Sequence, residues 1–289
     1  MLSLLLASAL SLSPAPRPLQ GVVLVAKGRE LTFSQGDIDA PYVIGSVSKQ
    51  LTAALVLQGV DDGLWQLDDP IGRYLPELKA PWASQVSLRM LLDHSSGVQA
   101  KGQPLAFNPG SRFAYSNLGY QFLGQALAKV RQQPFSALVK GLYRRCAMLG
   151  GSPITGAQEQ PDGRLTPVDT LALMPREQAS GTLVASARDL WHWNLCLHQG
   201  NLLSPASYQA MTHPWQQRPY RWGQLGYGFG VQLQGSEVSH VGYVPGYQSL
   251  LTWDRGQSLV VLESVSWRLD DINRAFFHED NLRRQLKDD

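Results

Sequence analysis

Cysteine is scarce: Cys146 and Cys196 are the only two in 289 residues. A pair cannot make the multi-bridge framework of a small secreted scaffold, and neither stands in C-x-x-C or another metal-ligand spacing. They are expected as two buried thiols, with a single bridge as the alternative. H-E-x-x-H is missing too, so nothing supports a metalloenzyme, and no metal or other cofactor is expected. Charged residues make up only 17%, the formal net charge is +2, and no long basic run occurs. There is therefore no electrostatic case for a nucleic-acid partner. No apolar run is long enough to span a bilayer. G-x-S-x-G does not occur, which removes the signature of an α/β-hydrolase with a Ser-His-Asp triad. Internal repeats and low-complexity segments are also missing.

What remains is a globular composition, 44% hydrophobic with eight Trp. The length suits one large or two modest domains with a substantial core. The first ten residues, MLSLLLASAL, are apolar and small and break at Ser13-Pro14-Ala15-Pro16. That is the outline of a secretory signal peptide, though without the usual basic residue before the apolar stretch. Export to the periplasm or the medium is expected, with residues 1–18 as leader.

The run Gln20 to Ala26, the turn Lys27-Gly28-Arg29-Glu30 and the run Leu31 to Ser34 read as a hairpin. Val47, Leu51, Ala54 and Leu55 recur at helical spacing until Asp61-Asp62-Gly63. From Leu67 to about Gly181 the signals are helical. Ser87 caps Leu88 to Asp93, Leu118 to Val130 is amphipathic, and Pro134 opens a helix through Met148. Ser186 and Asp189 form a capping-box variant ahead of Trp191 to His198, and Ser204-Pro205 starts a short helix. Strands follow at Tyr227 to Leu233, Glu237 to Val241, Gln248 to Trp253 and Leu259 to Ser264, and a charged helix from Asp271 to Leu286 ends the chain. This order predicts an α+β fold: an antiparallel sheet flanked by helices, with an inserted all-helical subdomain. Residues 19–58 and 185–289 would build the sheet domain, 59–184 the helical insert, and a cleft would lie between them.

The chemistry starts at Ser46-Val47-Ser48-Lys49. Residues three apart on a helix share a face, so the Lys49 amine can reach the Ser46 hydroxyl and take its proton. Of the seven lysines only Lys49 has a serine three residues before it. Tyr115 is the only tyrosine followed two residues later by asparagine, Asn117, and both stand in a loop that leads into a helix. A phenol near an ammonium can act as acid or base, and an amide can orient Lys49 or a substrate carbonyl. His240-Val241-Gly242 lies on a strand, where Gly242 permits close backbone approach. The strand edge there offers the Tyr243 N–H opposite that of Ser46, a pair of donors for an oxyanion.

Ser-x-x-Lys, Tyr-x-Asn and His-x-Gly in this order resemble the serine β-lactamase and penicillin-binding superfamily, nearest its class C-related branch. The resemblance extends through residues 46–78 and LLDHSSG at 91–97. It continues in Asn108-Pro109-Gly110, Tyr115 to Tyr120 and Ser180 to Leu183, and covers roughly residues 20 to 270. It implies Ser46 as acyl-enzyme nucleophile, Lys49 and Tyr115 sharing the base and acid roles, and Asn117 as an orienting amide. His240 would support proton transfer or substrate binding, and the Ser46 and Tyr243 N–H groups would bind the oxyanion. His94 matches a family position but is read as the anchor of a turn before Gly97. Class C β-lactamases carry Lys-Thr-Gly where this chain has His240-Val241-Gly242, so a fixed charge and a hydroxyl are missing. The expected substrate is a small ester, amide or D-amino-acid peptide, as for the esterase, D-aminopeptidase and DD-peptidase members. β-Lactam hydrolysis and a non-catalytic ligand-binding role are the alternatives.

Overall fold

The strands come from the two ends of the chain and meet in one sheet. In the computed structural model, residues 16–288 are described, apart from 101, 170, 171, 173–177, 201 and 222. The apolar N-terminal stretch read as a signal peptide lies almost wholly outside them. In chain order the strands are β1 (Gly21–Lys27), β2 (Glu30–Gln35), β3 (Tyr42–Val43), β4 (Ala157–Glu159), β5 (Leu165–Pro167), β6 (Val184–Ala185) and β7 (Gln216–Tyr220). They continue with β8 (Gly223–Tyr227), β9 (Gln232–Gln234), β10 (Glu237–Val244), β11 (Tyr247–Asp254), β12 (Gln257–Glu263) and β13 (Val265–Ser266). The helices are α1 (Ser48–Asp61), α2 (Leu88–Leu92), α3 (Asn117–Val130), α4 (Phe135–Arg145), α5 (Ala187–His198), α6 (Pro205–Met211), α7 (Ile272–Ala275) and α8 (Phe277–Asp288).

The main sheet is antiparallel with strand order β2-β1-β12-β11-β10-β9-β8-β7. Its central strands are apolar without alternation because both faces are covered. Val22, Leu24, Ala26, Val260 and Leu262 pack into the main core with α1 and α5. Val23, Val25, Leu250, Leu259 and Val261 form a second layer, against which Leu282 and Leu286 of α8 pack. The α5 cap is a full capping box: Ser186 Oγ accepts from Asp189 N, and the Asp189 carboxylate accepts from Ser186 N. Asp189 also accepts from Leu149 N at 2.8 Å and Gly150 N at 3.1 Å, tying the end of the helical insert to the sheet side.

Three features differ from expectation. Cys146 and Cys196 are a disulfide with Cα atoms 5.3 Å apart, which corrects the reading of two thiols. The C-terminus of α4 and the last turn of α5 bring them together, a juxtaposition that spacing along the chain does not encode. The stretch 59–184 is largely helical but also holds the β4–β5 hairpin, and β4 pairs in parallel with β13. Pairing with a distant two-residue strand, not local propensity, creates it. Finally, β7 precedes the expected strands and forms a hairpin with β8.

Candidate active site

Ser46 lies in a single 3-10 turn, Gly45–Val47, that runs straight into α1. Gly45 has φ +53, in the left-handed region, and a Cβ there would stand 2.7 Å from Gly242 Cα and 2.9 Å from the Tyr243 nitrogen. A Cβ on Gly242 would meet Ile44 O at 2.4 Å and Ser249 Oγ at 2.3 Å. The two glycines let β10 press against the Ser46 turn. Ser249 Oγ pins the contact by donating to Ile44 O at 2.8 Å. β9 pairs with β10 only as far as Ser239, so the next stretch of β10 faces the turn in place of a strand. This sets the Tyr243 amide beside the Ser46 turn.

One helical turn on, Lys49 is fully buried. Its Nζ donates to Ser46 Oγ at 3.1 Å, Asn117 Oδ1 at 2.7 Å and the Ser180 carbonyl. Asn117 is the first residue of α3, held there by Ser116 Oγ, which accepts from Gly119 N at 3.2 Å. Ser180 belongs to a segment laced along α1. Thr52 Oγ1 donates to Ala179 O at 2.8 Å, and Leu183 N donates to Ser48 Oγ at 3.2 Å. The Tyr115 phenol lies beside Ser46, close enough to influence its proton, and its ring centre lies 4.7 Å from Lys49 Nζ. Burial of its hydroxyl pushes the phenol above its ordinary value, with Ser46 acting in the opposite sense. Tyr115 is therefore a neutral phenol at physiological pH, while 38% of the residue stays open to an incoming substrate.

Behind this group runs a line of hydrogen bonds whose direction follows from its ends. His94 Nδ1 accepts from Ser116 N at 3.1 Å, so a neutral ring carries its proton on Nε2. That nitrogen faces Tyr227 Oη at 3.2 Å, and Tyr227 Oη faces His240 Nε2 at 2.9 Å. Tyr227 accepts from the first histidine and donates to the second, which leaves the His240 proton on Nδ1, bonded to Val241 O at 2.6 Å. Burial, with Lys49 nearby, pulls His240 down to about 3 and His94 well below its ordinary value, so both rings stay neutral. With both nitrogens engaged, His240 is a fixed wall of the cleft with no free nitrogen to move a proton. His94 does anchor the turn, through Ser116, and φ +62 shows how tightly that turn is wound.

Ser46, Lys49, Tyr115 and Asn117 thus converge, and Gly242 and Tyr243 press against Ser46 from the sheet side. Sequence reasoning missed the roles of Ser180 and Tyr227 in the site. Tyr227 stands between two glycines on a strand, a signal that could have marked it; Ser180 acts through its carbonyl, for which side-chain type gives no clue. Among the described residues, no three His, Cys, Asp or Glu side chains are placed to hold a metal ion. No described helix is long and apolar enough to cross a membrane.

The family model described as Beta-lactamase matches residues 19–263, most of the chain. The chain belongs to the Beta-lactamase family. It is 26% identical over 250 residues to a putative penicillin-binding protein, PbpX, of Bacillus subtilis, covering 77% of this chain and 61% of that one. Over 173 residues it is 27% identical to Esterase EstB of Burkholderia gladioli, covering 45% of this chain and 44% of that protein. The chain spans less than two thirds of the length of these curated relatives. Among solved structures, the penicillin-binding protein from Bacillus halodurans superposes with TM-score 0.76 at 21% identity, covering 91% and 97% of the two chains. The D-amino acid amidase from Ochrobactrum anthropi SV3 gives TM-score 0.75 at 20% identity, covering 94% and 96%. These likenesses show the fold, an α+β sheet-and-helix architecture shared across the Beta-lactamase family.

Proposed function

We propose that this Beta-lactamase family member is a serine hydrolase that cleaves an ester or amide through an acyl-enzyme on Ser46. The observation that carries the reading is that one hydroxyl, Ser46 Oγ, meets both Lys49 Nζ at 3.1 Å and the Tyr115 phenol. As Oγ attacks the carbonyl carbon, Lys49 reacts as the free amine: its two N–H bonds stay on Asn117 and Ser180 and its lone pair takes the Oγ proton, since the neutral phenol of Tyr115 is poor as a base and suited to be an acid. The N–H groups of Ser46 and Tyr243 receive the oxyanion across the Gly45–Gly242 contact. Tyr115 then protonates the leaving atom, the carbonyl–leaving-group bond breaks, and water reverses the sequence to free the acid. Asn117 and Ser180 hold the Lys49 amine in place throughout.

Esterase or D-amino-acid peptidase activity fits better than β-lactam hydrolysis, because a neutral His240 ring stands where a lysine would bring a fixed charge, and Val241 packs into the second layer of the sheet with no hydroxyl to offer. The names of EstB and of the D-amino acid amidase point to the same classes. We place the protein outside the cytoplasm, supported by the apolar N-terminal sequence and by a disulfide that reducing compartments disfavour. Incubation with a fluorophosphonate and with a fluorescent penicillin, followed by peptide mapping, should find the adduct on Ser46. Wild type should hydrolyse p-nitrophenyl acetate, and Ser46→Ala should not. Equal rates for the two proteins, with no adduct on Ser46, would refute the assignment.

A further inference from the structure

We propose that the Cys146–Cys196 bridge is a thiol–disulfide exchange site for a small thiol that carries carboxylates, with His192 as its proton carrier. The site is independent of the reading of Ser46.

A cavity of about 480 Å³ opens over the bridge, within the size range of small-molecule sites. Arg29, Arg145, Trp191 and His192 line it together with both cysteines, and no described carboxylate does. Two hydrogen bonds build it. Trp191 Nε1 donates to Gly28 O at 2.9 Å, which holds the β1–β2 turn and its Arg29 against α5. His192 Nδ1 donates to Ala147 O at 2.8 Å, which holds the end of α4 and its Arg145 against the same helix. That bond leaves Nε2 of the neutral ring to accept a proton. His192 and Cys196 are four residues apart on α5 and share a face, so the base and the sulfur stand one helical turn from each other. Cys196 is partly exposed, while Cys146 is only 4% exposed, so an incoming thiol meets the Cys196 sulfur first.

The incoming thiol gives its proton to His192 Nε2, and its thiolate attacks Cys196 Sγ in line with the bridge. A new S–S bond forms to Cys196 as the Cys146–Cys196 bond breaks. The electron pair of the broken bond leaves on Cys146 Sγ, which takes the proton from His192. A second thiol repeats the step at the mixed disulfide and frees Cys196, so two thiols are oxidised to one disulfide while the bridge is reduced to two thiols. Arg29 and Arg145 draw an anionic thiol into the cavity and favour its thiolate form. Exchange unties the end of α4 from α5.

The test is opening of the bridge in the folded protein by glutathione and by its diethyl ester, in which both carboxylates are capped, followed by peptide mapping of the adduct. The adduct should sit on Cys196. Arg29→Gln should slow opening by glutathione about threefold, within the reach of an exposed charge contact, and should not slow the ester. His192→Gln should make the rate fall about tenfold per pH unit below the thiol's own pKa, as the thiolate fraction does, whereas wild type should fall less steeply. Arg73→Gln, exposed and outside the cavity, should change neither rate. Both thiols are compared in each variant, so a general loosening of the fold moves the two rates together and not their ratio. An adduct on Cys146, an equal effect of Arg29→Gln on the two thiols, or a bridge that opens only as fast as the protein unfolds would overturn the site. Parallel pH profiles for wild type and His192→Gln would overturn the role of His192.

Discussion

Gly242→Ala is the sharpest test of how the two halves of the site meet. The new methyl carbon would stand 2.4 Å from Ile44 O and 2.3 Å from Ser249 Oγ, while ordinary contact begins at 3.4 Å. The serine can rotate away; the backbone carbonyl cannot. β10 and the Ser46 turn must therefore separate by about 1 Å, a displacement that can cost on the order of 100-fold in rate when it affects a reacting geometry. The separation draws the Tyr243 N–H away from the oxyanion position, and losing one such donor lowers kcat by about 100- to 1000-fold, about 2.7–4 kcal/mol. Overpacking alone should take about 1–3 kcal/mol from stability. The assay is the acylation rate with p-nitrophenyl acetate alongside thermal unfolding. Gly141→Ala is the control: it lies in α4, an added Cβ there meets nothing within 4 Å, and helix propensity should add about 0.5–1 kcal/mol with kcat unchanged. A Gly242→Ala protein with kcat within threefold of wild type would show that the close approach of β10 does not build an oxyanion site.

Lys49→Met should lower ester hydrolysis by about 100- to 10,000-fold, the usual span for a proton-transferring group, with Ser46 labelling lost in parallel; an active Lys49→Met protein would assign the base elsewhere. Tyr227→Phe should cost about 1–3 kcal/mol of stability by leaving buried ring nitrogens of His94 and His240 unpaired, read by chemical denaturation. Buried His198 and His240 are pulled down to about 3 from an ordinary value near 6.5, and His94 is lowered as well. The unfolded chain binds protons that these folded rings refuse, so their stability contribution is complete above pH 6.5 and falls on acidification toward 3. Each contributes up to about 1.4 kcal/mol per pH unit in that window. Glu263 and Glu279, raised by burial to about 7 and about 8, act in the opposite sense between about pH 4.5 and 8, so the acid loss should be steepest below about 4.5. Thermal melts across pH should show a shallower acid limb for His198→Gln, and an unchanged limb would count against a neutral His198. Reduction of the Cys146–Cys196 bridge, which closes a loop of 50 residues, should lower stability by about 2–4 kcal/mol.

Much of this site was legible because its chemistry is local. Ser46 and Lys49 share one helical turn, Tyr115 and Asn117 one cap, and His240 and Gly242 one strand, so spacing alone places each pair. The hairpin at β1 and β2, the capping box at Ser186 and the ends of α3 and α5 were legible for the same reason. What stayed hidden depends on partners far along the chain. β4 exists because β13 pairs with it, and the disulfide because two helices end side by side. Tyr227 gains meaning only between two histidines. β7 itself, QQRPY, is polar and contains a proline, and it is tolerated as a strand because it is the edge of the sheet.

The bond from Ser249 to Ile44 joins residues 205 positions apart, and Ser264 Oγ reaches Gln20 O across 244. A sheet that pairs β1 with β12, strands from opposite ends of the chain, folds slowly, because a long loop must lose its freedom before the closing contacts repay it. The first two motifs leave the ribosome long before β10, and the Ser46 turn has nothing to press against until that strand arrives. A nascent or truncated chain therefore carries Ser46, Lys49 and Tyr115 without the strand that packs against them. On the proposed reading of Ser46, reactivity is a property that completion of the chain switches on.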